Sequence, residues 1–105
     1  MGTITEQELE LSWKLNRLIG DLHVEVAQLP NERTIDRWTR DELYVAMLRC
    51  KDAMLDAQKC VIRLCRLGDI DHYSRVWVDE AVKYCEEYQG LLDWAQDVLM
   101  LELTR

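Results

Sequence analysis

The stretch TRDELYVAMLRCKDAMLDAQKCVIRLCRLG, Thr39–Gly68, decides the fold. It holds no Pro, and its single Gly stands last. Leu43, Met47, Cys50, Met54, Ala57, Val61 and Leu64 recur at alternating spacings of four and three, the a and d positions of a heptad. A strand would alternate every second residue, so the period predicts one long helix. A second apolar row, Leu48, Leu55 and Ile62, runs at b, and a third, Ala46, Ala53, Cys60 and Leu67, at g. Polar residues are left to the rows of Arg49, Asp56 and Arg63 and of Asp52, Lys59 and Arg66. A surface helix shows an apolar stripe of about 100° or somewhat more. This one is wider, which predicts a central helix packed on two or more sides.

The ends of the segment agree. Thr39 with Glu42 forms a capping box, in which the hydroxyl accepts an orphan backbone N–H. Gly68 fits the left-handed position beyond a last turn. Lys59, Arg63 and Arg66 sit in the C-terminal turns, where the helix dipole favours cations.

Beyond Gly68 the corner GDID is short, with Asp69 or Asp71 as N-cap of a third helix from about His72 to Leu103. A corner that short makes helices two and three antiparallel neighbours. Before Thr39 lies PNERTIDRWT, a connector long enough for a short helical turn of its own. A first helix precedes it, from about Glu6 to Leu29. Thr5 and Glu8 give it a capping box in which the carboxylate is expected to reach back to the cap, and Pro30 ends it. Its stripe is Leu11, Leu15, Leu18, Leu22 and Leu29, flanked by Ile19 and Val26; Trp13 and Val24 lie off it. The expected fold is all-α: one domain over residues 1–105, an antiparallel three-helix bundle of long helices, open to completion by dimerisation.

Helix three sharpens the question of a partner. Ile70, Ser74, Trp77, Ala81, Tyr84, Tyr88, Leu91, Ala95 and Val98 occupy its a and d rows, with Val78, Cys85, Leu92 and Leu99 at e. The f row reads Asp79, Glu86, Asp93, Met100, and the g row Glu80, Glu87, Trp94, Leu101. Both begin acidic and turn apolar at the end. Leu91 and its a, d and e neighbours continue the core. Trp94, Met100, Leu101 and Leu103 widen the apolar arc and need separate cover. The N-terminal turn or the Ile35–Trp38 part of the connector is one source of it. An interface, with a second copy or with another protein, is the other and the expected one, because contiguous exposed apolar patches on monomers mark contact sites. Trp, Tyr and Met are enriched in such contacts. Asp79, Glu80, Glu86, Glu87 and Asp93 would steer a basic partner toward it.

Composition narrows the function classes. The 105 residues are 49% apolar and 31% charged, a globular profile. Net charge is −7, distributed as −3 over residues 1–30, +2 over 31–68 and −6 over 69–105. That balance argues against direct nucleic-acid binding, which needs clustered Lys and Arg. Arg33, Arg37 and Arg40 around Trp38 form the one basic and aromatic cluster, diluted by Glu32, Asp36, Asp41 and Glu42. It is expected to be a salt-bridged connector, with Trp38 closing the core. No apolar run has the roughly 20 residues of a membrane span. MGTITEQELE lacks a secretory profile. The expected setting is cytoplasmic.

No cofactor, metal site or catalytic centre is expected. Asp52 with Asp56 and Asp93 with Asp97 each place two carboxylates on one helix face, as helical Mg²⁺ enzymes do. All four fall on solvent-facing rows. His23 and His72 stand in no metal or triad motif. Cys60 and Cys65 are about 140° apart around a helix and would not converge on an ion. With Cys50 and Cys85 they read as free thiols used as small hydrophobes. The expected function is non-catalytic protein binding, as an adaptor, assembly subunit or inhibitor, with self-association. Two alternatives stand beside it. One is an acidic phage-type inhibitor presenting carboxylates to a nucleic-acid-binding protein; the other is a small helical enzyme built on the aspartate pairs.

Overall fold

The computed structural model describes residues 4–104, with side chains through residue 101. Helix α1 spans Glu6–Ala27, α2 Arg40–Cys65 and α3 His72–Thr104, with a single 3₁₀ turn at Ile35–Arg37. There is no strand among the described residues. Each helix packs on the other two, giving a three-helix bundle 59 Å long and 19 by 18 Å across. Contacts between Ser12 and Ser74 and between His23 and Tyr88 advance together, so α1 and α3 run parallel. Helix α2 returns between them.

Local chemistry sets the ends. The Thr5 and Thr39 hydroxyls accept from the backbone N–H groups of Glu8 and Glu42 at 3.2 and 3.1 Å. The Asp71 carboxylate accepts from the Tyr73 N–H at 3.1 Å and caps α3. Gly68 takes φ +95°, the left-handed conformation that stops the chain after α2. Helix α1 stops at Ala27 and α2 at Cys65, two residues before the expected ends. In each case the final turn relaxes to hydrogen bonds three residues back, Leu29 to Val26 and Leu67 to Leu64. In the connector, Asn31 Oδ1 accepts from the N–H groups of Arg33 and Thr34, forming the turn that leads into the 3₁₀ segment.

The core runs the length of the bundle. Helix α1 supplies Leu15, Leu18, Ile19 and Leu22, and α2 supplies Leu43, Met47, Cys50, Met54, Ala57, Cys60 and Leu64. Helix α3 supplies Ala81, Cys85, Leu92, Ala95 and Leu99. Burying one Leu of this kind fully is worth roughly 1.5–3 kcal/mol. Ile35 and Trp38 pack against this core from the connector, as does Leu29.

Two expectations fail against this packing. On α3 the buried seam passes through Ala81, Cys85, Leu92, Ala95 and Leu99, which belong to the a and e rows. The d row flanks it: Trp77, Tyr84 and Val98 are half-buried against the core, and Leu91 is 44% exposed. The second failure concerns α2. Its b row is uncovered: Leu48, Leu55 and Ile62 are 42, 50 and 49% exposed. With α1 and α3 both on one side of it, α2 has no neighbour beyond that row.

Candidate protein-binding face

The b row of α2 is separated from the a-row core by the e row, Tyr44, Lys51, Gln58 and Cys65. All four are exposed. This row of mixed chemistry was the legible sign that b does not continue the core. Alongside it runs an open groove of about 620 Å³ between α2 and α3. Met54, Val61 and Ile62 line it from α2, and Ala81, Val82 and Cys85 from α3, with Gln58, Glu86 and Gln89 as its polar groups. Val82 is itself exposed. Leu48, Leu55 and Ile62 thus form an apolar ridge on the outward side of α2, and Ile62 faces both this groove, with Val82, and the neighbouring groove between α1 and α2. The spacing of the α2 strip residues is seven, so they stack as a ridge along the helix.

The charges beside the strip are segregated by helix. On α2, Lys59 and Arg66 flank Ile62 three residues before and four after it, on the side turned to α1, where they line a groove with Lys14 and Arg17. On α3, Asp79 and Glu86 flank Val82 in the same way, and Asp93 follows one heptad on. All five are exposed.

The tail residues divide. Trp94 is half-buried and packs against the core. Met100 and Leu101 are exposed, by 51 and 63%. Leu101 shares the end of the bundle with Ile35, Asp36, Trp38, Val98 and Leu99. The connector therefore reaches this end of α3. Leu103 lies outside the residues whose side chains are described. Of the acidic positions, Asp79, Glu86, Glu87 and Asp93 are exposed and Glu80 is half-buried.

A polar network pins the opposite end. The Glu8 carboxylate does not return to its own cap. It accepts from the Asp71 N–H at 3.3 Å and from the Ser74 hydroxyl at 2.8 Å. The Ser12 hydroxyl donates to Ser74 Oγ at 2.8 Å. All three side chains are buried. The network ties the first turns of α1 to those of α3, and no heptad rule pointed to it. The sequence sign was polar residues on core rows: Ser74 at an a position, with Glu8 and Ser12 a turn apart.

Midway along the bundle His23 Nδ1 lies 2.5 Å from the Tyr88 hydroxyl, and its ring meets Tyr84 edge-on at 4.5 Å. Tyr84 and Tyr88 stack, and Lys83 stands over Tyr84. Burial, with Glu87 and Tyr84 adding, raises the Tyr88 phenol above its ordinary value. The cluster is a packing element between α1 and α3. Nearer the start of α3, Trp77 meets the Tyr73 ring edge-on, and its Nε1 is buried without a hydrogen-bond partner.

The aspartate pairs stay apart. Asp52 and Asp56 are exposed on α2, and Asp93 and Asp97 on α3. Among the described residues no group of three or more His, Cys, Asp or Glu is placed to hold a metal. Cys50, Cys60 and Cys85 are buried free thiols and Cys65 is exposed. Burial pushes the Cys50 thiol up to about 11, with Glu25 adding to it. Burial raises Cys60 and Cys85 as well; Lys14 and Arg63 pull Cys60 partly back. The Cys60 thiol donates to the Leu11 carbonyl at 3.3 Å, a link between α2 and α1. No helix among the described residues is long and apolar enough to cross a membrane.

No family model matches the chain, and neither the curated proteins nor the solved structures searched give a significant match.

Proposed function

We propose that this protein works by binding protein, as a non-catalytic adaptor, assembly subunit or inhibitor, through the α2–α3 face. The observation that carries the reading is the strip of Leu48, Leu55 and Ile62, each about half exposed on one helix ridge. Holding large apolar side chains in water forgoes roughly 25 cal/mol per Å² of burial. Solitary exposed leucines are ordinary, whereas an aligned row with an apolar groove beside it is a contact surface. Met100 adds exposed apolar area near the far end of α3. The acidic α3 row, Asp79, Glu86 and Asp93, gives the same face its charge.

In-cell crosslinking of the tagged chain tests this. The wild type is compared with Leu55→Asp combined with Ile62→Asp, both at exposed positions. The reading expects a crosslinked species, of any mass, that the double variant loses while its helix content is unchanged. Identical crosslinks from both chains would overturn it.

A further inference from the structure

We propose that the groove between α1 and α2 is a binding site for a compact oligophosphate, a diphosphate or triphosphate chain held by Lys14 and Arg17 of α1 and by Lys59, Arg63 and Arg66 of α2. The site lies beside the apolar ridge of α2 and does not depend on the protein-binding reading.

The cations converge from two helices. All five line one groove of about 550 Å³, and Lys14, Arg63 and Arg66 also line the next, of about 480 Å³, toward the corner. The Cys60 thiol donates to the Leu11 carbonyl at 3.3 Å, which sets Lys14, one turn on, against the Lys59–Arg63 turn of α2. Lys14 and Arg63 both act on that thiol, pulling it down against the effect of its burial. Glu10 and Asp56 are the carboxylates among the lining side chains. Among the described residues no ion pair joins either of them to any of the five. Arg63 and Arg66 suit the negative end of the α2 dipole, but that effect fades within the last turn. It does not account for Lys59, nor for Lys14 and Arg17 within α1. Cations gathered in this way repel one another, and an anion among them removes the repulsion.

The shape of the patch names the anion. From Lys59 to Arg66 is seven residues, about 10 Å along the helix. Asp56 closes one end and Glu10 the other. A nucleic-acid strand or an acidic protein segment would run past both carboxylates and over a chain of net charge −7. A short phosphate chain keeps its charge inside the patch. Three of the five cations are Arg, whose planar fork matches phosphate oxygens in pairs. The groove volume falls within the roughly 300–1,000 Å³ of small-ligand sites. Leu18, Cys60 and Ile62 add an apolar wall, which the base of a nucleotide would contact and an inorganic chain would leave bare. The two sources share one phosphate chemistry, and the experiment separates them.

The experiment is an NMR titration of the isotope-labelled full chain with tripolyphosphate, adenosine triphosphate and orthophosphate, without magnesium. Tripolyphosphate is expected to bind saturably and to shift backbone amides around Lys14 and Arg63. Orthophosphate reaches fewer of the cations and should bind about tenfold or more weakly. Equal affinity for the two triphosphates assigns the site to the phosphate chain alone; tighter binding of the nucleotide assigns it to nucleotides, and either result supports the proposal. Lys14→Gln with Arg63→Gln should raise the dissociation constant about tenfold or more. Arg33→Gln with Arg37→Gln makes the same charge change in the connector and should leave it within about twofold. All four positions are exposed, and circular dichroism of both variants checks the helices. No saturable shift at millimolar tripolyphosphate overturns the site. So does equal affinity in the two double variants, or a set of shifts that maps away from α1 and α2. A glutamate-rich peptide or an oligothymidylate that binds the groove more tightly than tripolyphosphate would give it to an acidic protein segment or to nucleic acid, and would overturn the proposal as well.

Discussion

The Glu8 carboxylate accepts the Ser74 hydroxyl at 2.8 Å, joining the first turn of α1 to the first turn of α3 across 66 residues of chain. Ser12 continues the chain of hydrogen bonds. The arrangement fixes the axial register of two parallel helices that otherwise meet through apolar side chains able to slide. A buried carboxylate is costly unless its lone pairs are filled. Here two donors reach it, the Asp71 N–H and the Ser74 hydroxyl.

Breaking this network should destabilise more than its size suggests. Glu8→Ala leaves the Asp71 N–H and the Ser74 hydroxyl without an acceptor, at about 1–3 kcal/mol for each buried unsatisfied group. Ser74→Ala leaves the buried carboxylate with the Asp71 N–H alone and the Ser12 hydroxyl without its acceptor, and is expected to cost about as much. Because the groups share one network, the double variant should fall short of the sum by about 0.5–3 kcal/mol. Urea unfolding of the two single variants and the double variant measures this. Strict additivity would show that the groups do not act as a unit.

The Tyr88 hydroxyl and His23 Nδ1 form the second polar link between α1 and α3. Tyr88→Phe keeps the stacking on Tyr84 and removes the hydroxyl alone. A half-buried neutral hydrogen bond is worth about 0.5–1.5 kcal/mol, so the loss should fall in that range. The reading also implies that His23→Ala costs more, since it removes the edge contact to Tyr84 as well. Thermal melts of both variants decide it; a larger loss for Tyr88→Phe would mean the ring contacts contribute little.

The helices, their caps and the corner were legible in the sequence because each rests on local rules. Thr5, Thr39 and Asp71 cap where capping chemistry places them, and Gly68 adopts the positive φ that its position implied. Tertiary placement was less legible. On α3 the a and d rows were taken as the seam, whereas the a and e rows close it, with Leu91 of the d row exposed and Trp94 of the g row packed inward. On α2, counting apolar rows overstated burial, because a row can be apolar with no neighbour to cover it. Leu48, Leu55 and Ile62 show the limit: periodicity reports which residues share a face, and only the number of surrounding helices decides which faces close. Glu8 was read from its local motif, and a partner 66 residues away won its carboxylate.

Three glycines separate backbone strain from helix propensity. A Cβ at Gly20, Gly68 or Gly90 would meet no atom within 4 Å, so sterics with neighbours drop out of the comparison. Gly20 and Gly90 lie inside α1 and α3. Replacing either with Ala should stabilise by about 0.5–1 kcal/mol through helix propensity. Gly68 sits at φ +95°, where Ala is strained, and the same substitution should destabilise by about 1 kcal/mol or more. Opposite signs of the shift in melting temperature are the expected outcome. A stabilised Gly68→Ala would show that the corner relaxes to another conformation.

The four thiols should separate sharply by reactivity and by pH. Cys65 is exposed, while Cys50, Cys60 and Cys85 are buried with thiols raised by that burial. A disulfide reagent at neutral pH should titrate one thiol in the native protein and all four in denaturant. The raised values also link to stability. A thiol with folded pKa above its unfolded value holds its proton more tightly in the native state. Its contribution is intact below pH about 9, the unfolded value, and is lost as pH rises toward the folded one. For Cys50 the window is pH 9 to about 11. A two-unit separation corresponds to about 2–3 kcal/mol. Urea midpoints at pH 8 and pH 10.5 should therefore fall for the wild type, and fall less for Cys50→Ala, whose cavity cost is the same at both values. An equal fall in both proteins would assign the alkaline loss to other groups, the Tyr88 phenol first among them.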